Sequence, residues 1–381
     1  MNICLDCKAL YTSRNRGIGN YAKSLYNALF QIDTNDRFFL VNWFPECDLS
    51  CFSIYPNVSE IKINQTFPLD NTFHKLIVDN AVDVYYFPDT FYGQWPLLNR
   101  EWFLPAKMAC TCHDVIPLIF PKEFFSEYSQ YEKFKSYCEN LQNFDLVFSN
   151  SENTKKDVLR FFKHVNIFNI SMASEKKGGN DDVVSKSSRN LLKKWNIESP
   201  YVLYVGGLSY TKNVRNIVLA YEKVLEKSGL KTKPLVITCS FDGTIEENLI
   251  WYVKLKKLHK KIIFTNYVTD DELDCLYRNA DWCVFPSLYE GFGLPVLESW
   301  LYKKPLMASN NSSVGEICGN AAILVDPFSV DSIAAGFAKL FCISDKERQR
   351  YIDLGQKQLE KFSGEKTAKM MLEKFHSVVG K

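Results

Sequence analysis

Between Asp281 and Glu298 the chain reads DWCVFPSLYEGFGLPVLE. Trp282, Cys283, Val284 and Phe285 form a short apolar run of the kind that makes a buried strand. Pro286 breaks the run, and Glu290, Gly291, Phe292 and Gly293 lead into a helix that opens at Pro295. A strand, a glycine turn and a helix N-terminus make an anion site: the first N–H groups and the positive dipole end favour phosphate, and the glycines let a ligand approach the backbone. Two carboxylates frame the turn. Glu290 lies on it, placed to bond hydroxyls, and Glu298 lies about one turn into the helix, where both oxygens can accept from a diol. Similar runs at Val82 to Phe87, Met108 to Cys112 and Leu146 to Phe148 are each followed by polar or Pro-rich loop signals and then by helical patterns. Such alternation indicates a parallel sheet wrapped by helices, whose ligands gather at the carboxyl ends of the strands.

Two glutamates at this spacing, taken alone, describe a solvated helix face. Embedded with GFGLPVLE between them and with Pro305 followed by ASNNSSVGEICGNAAILVDP, they give a stretch that resembles the retaining nucleotide-sugar glycosyltransferases of family four, which have the GT-B fold. The resemblance implies an α/β chain of two Rossmann-like doubly wound domains facing across a cleft. The expected boundaries are an acceptor-binding domain over residues 1–180 and a nucleotide-sugar-binding domain over residues 190–364. A C-terminal helix at 365–381 is expected to pack back on the first domain.

Bulk properties agree with that size and exclude other classes. A chain of 381 residues is long for one core, and ~150 residues per domain suggests two or three. Its 46% hydrophobic and 14% aromatic content suffices for two cores, and a net charge of +2 lacks the basic excess of a nucleic-acid binder. The sequence holds no run of ~18 uninterrupted apolar residues. The start, MNICLDCKAL, enters a strand pattern directly, so a cytoplasmic location is expected. Cys4 and Cys7 have metal-like spacing but lack a second matching pair, and the twelve cysteines read as reduced thiols, most of them buried.

In the first half, Asn2 to Leu5 form a strand ended by Asp6, and a polar loop, TSRNRGIGN, precedes the helix YAKSLYNALF. Gly17, Gly19 and Ala22 match a dinucleotide fingerprint, but the next strand, Phe38 to Val41, ends in Asn42 and Trp43 without the acid that would hold a ribose. Family resemblance gives these residues another role, in which Gly17, Gly19 and Asn20 form a loop over the donor phosphates and the acceptor cleft. A purely structural loop remains the alternative. His113 and Asp114 stand at a strand's carboxyl end, and HDVIPL resembles the mannosyltransferase-like members of the family. By that resemblance His113 faces the donor sugar and bonds a hydroxyl; otherwise it is an ordinary loop histidine. SNSENTKKDVLRFF closes this half with a serine N-cap region and a basic helix.

The stretch 175–188, EKKGGNDDVVSKSS, is polar, carries glycines and lacks apolar periodicity, which makes it the linker candidate. The second half restarts at YVLYVGGLSYTKN, where Gly206 and Gly207 allow close backbone approach to a diphosphate and Lys212 supplies charge to its oxygens. Family members usually carry arginines near the positions held here by Gly207 and Thr211. Further strands are read at Pro234 to Cys239 and Ile262 to Thr265. Val268, in NYV, stands where the family meets the nucleotide base through backbone, although Asn266 replaces its usual glycine. Asp270, Asp271 and Asp274 open a helix and complement its dipole better than they bind metal. Lys254, Lys256, Lys257, Lys260 and Lys261 interleave with Leu255 and Leu258, either as a solvated helix face or as a basic surface for anionic lipid.

The resemblance assigns Glu290 and His113 to catalysis, and Gly206, Gly207, Lys212, Val268, Phe292, Gly293, Leu294 and Glu298 to the donor. It implies a metal-independent enzyme without a cofactor. The expected reaction moves a hexose, mannose from GDP-mannose, to a saccharide carried on a polyprenyl diphosphate in O-antigen or other surface-polysaccharide synthesis. Peripheral contact with the inner membrane is the accompanying expectation, and no nucleic acid is involved. A UDP-sugar donor is the alternative within the fold. A nicotinamide oxidoreductase and a non-catalytic sugar-nucleotide-binding module are the rival classes.

Overall fold

A computed structural model describes residues 1–13, 17–32, 35–63, 70–89, 99–171, 192–197, 200–227, 229–239 and 244–380, without the side chains of residues 70–71 and 244–247. The chain forms two compact units, one of residues 1–175 together with 362–381 and one of residues 176–361.

In the first unit β1 (Asn2–Asp6), β2 (Arg37–Asn42), β3 (Val58–Lys62), β4 (Val84–Phe87), β5 (Lys107–Cys112), β6 (Leu146–Ser149) and β7 (Ile167–Asn169) pair in the order β3-β2-β1-β4-β5-β6-β7. Every pairing is parallel. In the second unit β8 (Tyr201–Val205), β9 (Leu235–Thr238), β10 (Ile262–Phe264), β11 (Ala280–Phe285), β12 (Leu306–Ser309) and β13 (Ile323–Val325) pair in the order β10-β9-β8-β11-β12-β13, again all parallel. Each order reverses once, between β1 and β4 and between β8 and β11, so each sheet is doubly wound and Rossmann-like. The crevice for a ligand lies at that reversal, outside the strands' carboxyl ends. Central strands such as β4, β6, β9 and β12 are buried along their whole length, which is why they read as continuous apolar runs without alternation.

Helices α1 (Gly17–Gln31), α2 (Asp70–Asp79), α3 (Tyr128–Glu139) and α4 (Glu152–Phe161) belong to the first sheet. Those of the second are α5 (Val214–Leu225), α6 (Thr244–Leu255), α7 (Asp270–Asn279), α8 (Leu294–Leu301), α9 (Ser312–Cys318), α10 (Val330–Cys342) and α11 (Asp345–Leu359). The C-terminal helix α12 (Gly364–Val379) returns to the first unit, where the Phe375 ring lies 6.0 Å from Tyr86 and 5.7 Å from Phe148. Thr367 Oγ1 donates to the Ser171 carbonyl at 2.7 Å and fixes the start of that helix.

Two local expectations are corrected. Gly17, Gly19 and Asn20 lie in the first turns of α1 and not on a loop, and Lys8–Thr12 ahead of them is also helical. A Cβ at Gly19 would stand 2.2 Å from the Ser13 carbonyl oxygen, so this glycine is required by close backbone packing. The basic run does not form a helix face: α6 ends at Leu255, and Lys257 takes a left-handed φ of 56° in the turns that follow. Lys256 pairs with Glu222 at 3.1 Å. The expected linker at 175–188 lies outside the described residues.

Candidate active site

The carboxyl ends of β8 and β11, on either side of the second sheet's reversal, carry the residues expected to bind a donor. Gly206 follows β8 because a Cβ there would stand 2.6 Å from the Tyr204 hydroxyl, whereas a Cβ at Gly207 would meet open space. The Tyr204 hydroxyl lies 3.0 Å from the Gly207 carbonyl and 3.3 Å from that of Lys212, drawing the loop back over its own strand. Asn213 then takes a left-handed φ of 63° as the N-cap of α5. Its amide donates to the carbonyls of Pro286 and Pro327, each at 2.8 Å, and so joins the Lys212 loop to the loops after β11 and β13.

The turn after β11 is held by side chains from the last residue of β12 and the segment that follows it. Asn311 Nδ2 donates to the Leu288 carbonyl at 2.9 Å, and Ser309 Oγ donates to that of Ser287. Ser313 Oγ is shared between the carbonyls of Glu290 (2.8 Å) and Phe292 (2.6 Å), and the Glu290 N–H reaches Ser312 Oγ at 3.3 Å. The Leu288 N–H donates to the Thr211 carbonyl at 2.7 Å. Gly293 caps α8 with a φ of 120°, a conformation closed to residues with a Cβ. Pro295 has no N–H and the Val296 N–H bonds to the Gly293 carbonyl at 3.0 Å, so neither is free for an anion at this end.

Within that frame the structure joins two predicted residues directly. Lys212 Nζ lies 2.8 Å from both Oε1 and Oε2 of Glu290, and over the Phe285 ring at 5.6 Å. Glu290 is only 8% exposed, so the loop buries a carboxylate together with its counter-ion. Its charge and, chiefly, burial push the Tyr204 phenol well above its usual range, which keeps that hydroxyl a donor. Glu298 is bonded elsewhere: its Oε2 accepts from the Tyr277 hydroxyl at 2.8 Å. Phe292 is buried in the turn and Leu294, the first residue of α8, is half-buried, while Val268 lies half-buried on the loop after the edge strand β10.

His113 belongs to the first unit. Its Nε2 lies 2.8 Å from the Pro88 carbonyl, which assigns the ring proton to Nε2, and its ring meets Tyr21 edge-on at 4.9 Å. Asp6, at the end of β1, is 2% exposed and accepts from Trp43 Nε1 (2.7 Å), the Tyr85 hydroxyl (3.1 Å) and the Lys8 N–H (2.9 Å). Burial raises its pKa despite those donors, and burial likewise lowers that of Lys8. Gly17 and Asn20 are exposed. Asp270 and Asp271 sit in the first turn of α7, but the cap itself is Thr269, in a capping box with Glu272. Asp274 pairs with Arg278. Among the described residues no group of three His, Cys, Asp or Glu side chains is placed to hold a metal ion, and no helix is long and apolar enough to cross a membrane.

Sequence reasoning passed over Tyr277, Tyr204, Asn213 and the polar segment Ser309–Ser313. The run SNNSS where a strand ends was the available signal, since small polar side chains there can bond neighbouring backbone.

Two doubly wound Rossmann-like units with this arrangement define the GT-B class of fold. A sucrose-phosphate synthase from Thermosynechococcus elongatus matches it with a TM-score of 0.74 at 16% identity, over 100% of this chain and 99% of that one. A glycosyltransferase from Rickettsia africae matches with a TM-score of 0.72 at 16% identity, over 99% and 98% of the two chains. Residues 188–358 match the family described as glycosyl transferases group 1, and the chain carries a domain of that family there. The serotype-specific mannosyltransferase WbdA of Escherichia coli is 26% identical over 71% of this chain, and the match spans 34% of WbdA's length. The O-antigen chain mannosyltransferase B of Escherichia coli is 28% identical over 62% of each chain.

Proposed function

We propose that this protein is a retaining glycosyltransferase that moves mannose from GDP-mannose to a saccharide acceptor, carried on a polyprenyl diphosphate, in O-antigen synthesis. The observation that carries the reading is the ion pair of Lys212 and Glu290, set beside the N-terminus of α8 at the carboxyl edge of the second sheet. An ammonium has three protons. Two face Glu290, and the third is available to a phosphate oxygen, so the lysine can hold the leaving diphosphate without releasing the glutamate. The N–H groups of Gly293 and Leu294 add fixed dipoles to the oxygen that gains charge on cleavage. Glu290 accepts from hydroxyls of the transferred sugar, and Glu298 accepts from the ribose diol.

In this mechanism the bond from the anomeric carbon to the diphosphate oxygen breaks and the acceptor oxygen bonds to that carbon on the same face. The acceptor's proton passes to the leaving phosphate oxygen, and nucleoside diphosphate departs. His113, in its Nε2–H form, offers Nδ1 as an acceptor to a sugar hydroxyl. The mannosyl and O-antigen parts of the reading are supported by the two Escherichia coli relatives and by the sequence HDVIPL.

A panel of GDP-mannose, UDP-glucose, UDP-galactose and UDP-N-acetylglucosamine, scored by calorimetry and slow hydrolysis, tests it. Preference for GDP-mannose supports the assignment. Preference for a UDP-sugar overturns the mannosyl part and leaves the site chemistry, and binding of none overturns the enzyme reading altogether.

A further inference from the structure

Helices α7 and α8 are tied by two phenol-to-carboxylate bonds that run in opposite directions. Tyr277, on α7, donates to Glu298 of α8 at 2.8 Å, and Tyr302, just past α8, donates to Asp274 of α7 at 2.8 Å. The two rings stack with centroids 4.9 Å apart and planes 5° apart. Arg278 closes the assembly, bonding Asp274 through Nε at 2.6 Å and lying over the Tyr302 ring at 5.7 Å. Tyr277 is 1% exposed, whereas Glu298 is half-buried. A ring packed this tightly on one face cannot swing away, so the direction of its hydroxyl is set by the core.

A glutamate on a helix has three side-chain torsions, and a ligand that needs both carboxylate oxygens in one plane must otherwise order them on binding. Burial, and then the Glu298 charge, push the Tyr277 phenol well above its usual range, so the hydroxyl stays a donor throughout the working pH range. An α7–α8 tie alone would not need Glu298, because the Tyr302–Asp274 bond already joins the end of α8 to α7.

We infer that Tyr277 is a positioning residue for donor recognition: its hydroxyl fixes the Glu298 carboxylate in the orientation that accepts both hydroxyls of the donor's ribose. The inference rests on the proposed role of Glu298. It assigns the protein's discrimination between ribose and deoxyribose nucleotides to a pair of residues, only one of which touches the ligand.

The test is calorimetric binding of GDP, UDP and their 2′,3′-dideoxy analogues to the full chain and to Tyr277→Phe. Wild type should favour the ribonucleotide, and Tyr277→Phe should lose about tenfold of that preference, the scale of one hydrogen bond to a charged group, with dideoxy binding unchanged. Combining Tyr277→Phe with Glu298→Ala should add no further loss to that of Glu298→Ala. A variant with full ribose preference and a lowered melting temperature makes Tyr277 a helix tie only and overturns the inference. If wild type binds the ribo and dideoxy forms equally, the Glu298 assignment falls and the inference falls with it. Binding of neither nucleotide overturns the enzyme reading as well.

Discussion

Lys212 Nζ lies 2.8 Å from each carboxylate oxygen of Glu290, 78 residues further along the chain. The lysine side chain is 27% exposed and the glutamate side chain 10%, so the pair is held at the mouth of the turn and not in bulk solvent. Its geometry comes from backbone ties on both sides: Tyr204 and Asn213 fix the lysine's loop, and Asn311, Ser312 and Ser313 fix the glutamate's.

Removing one partner leaves the other charge largely buried and unpaired. Lys212→Met should therefore cost about 2 kcal/mol in urea unfolding, below the usual cost of breaking a fully buried pair because the lysine is partly exposed. The double variant Lys212→Met/Glu290→Gln should recover most of that loss. Equal midpoints for the single and double variants would mean that Glu290 carries no penalty when it is left without its lysine.

Glu290→Ala separates binding from turnover. A carboxylate that acts on the sugar as charge develops should lower kcat by about 10²–10³ when removed, with the nucleotide Kd within a few-fold of wild type. A Kd that rises as far as kcat falls would make Glu290 a ground-state binding residue.

Gly293 has a φ of 120°, and a Cβ there would stand 3.3 Å from Val314 Cγ2. Gly293→Ala should cost about 1–3 kcal/mol of stability through backbone strain. It should also reduce turnover, because the same residue aims the N-terminus of α8. Unchanged melting together with unchanged turnover would show that the turn relaxes freely around the added methyl.

Much of this was legible in the sequence. The apolar run before Pro286, the glycines after it and Pro295 placed β11, its turn and α8, and the alternation of strands and helices indicated a parallel sheet, although β3, β7, β12 and β13 were not read. Periodicity reports what a residue's own element does with it, and so it could not place Gly19, whose need for a bare backbone comes from the Ser13 carbonyl packed against it. Nor could it stop the basic run from reading as helix, since Lys256 is bound to Glu222 of another helix and Lys257 turns on a left-handed φ. The side chains that hold the site, Asn213, Ser313 and Tyr277, bond across separations of 73, 23 and 21 residues. Such bonds leave no repeat in the sequence, only a polar or phenolic residue where an apolar one would also have packed.

Asp6 gives the first unit a pH signature. Burial raises its folded pKa above the value of a free aspartate, against the pull of the Lys8 N–H, Trp43 and Tyr85. In the window that opens at about pH 4, near the ordinary aspartate value, and closes at the raised value, the folded chain holds a proton that the unfolded chain has released. Stability contributed by this group is thus full below the window and falls as pH rises through it. Asp6→Asn removes the titration and, by presenting an amide to three donors, costs a constant amount at every pH. The difference in urea midpoint, wild type minus Asp6→Asn, should therefore shrink as pH rises through the window and level off above it. A difference that stays flat would show that the donors around Asp6 offset its burial, and one that grows with pH would mean that they outweigh it.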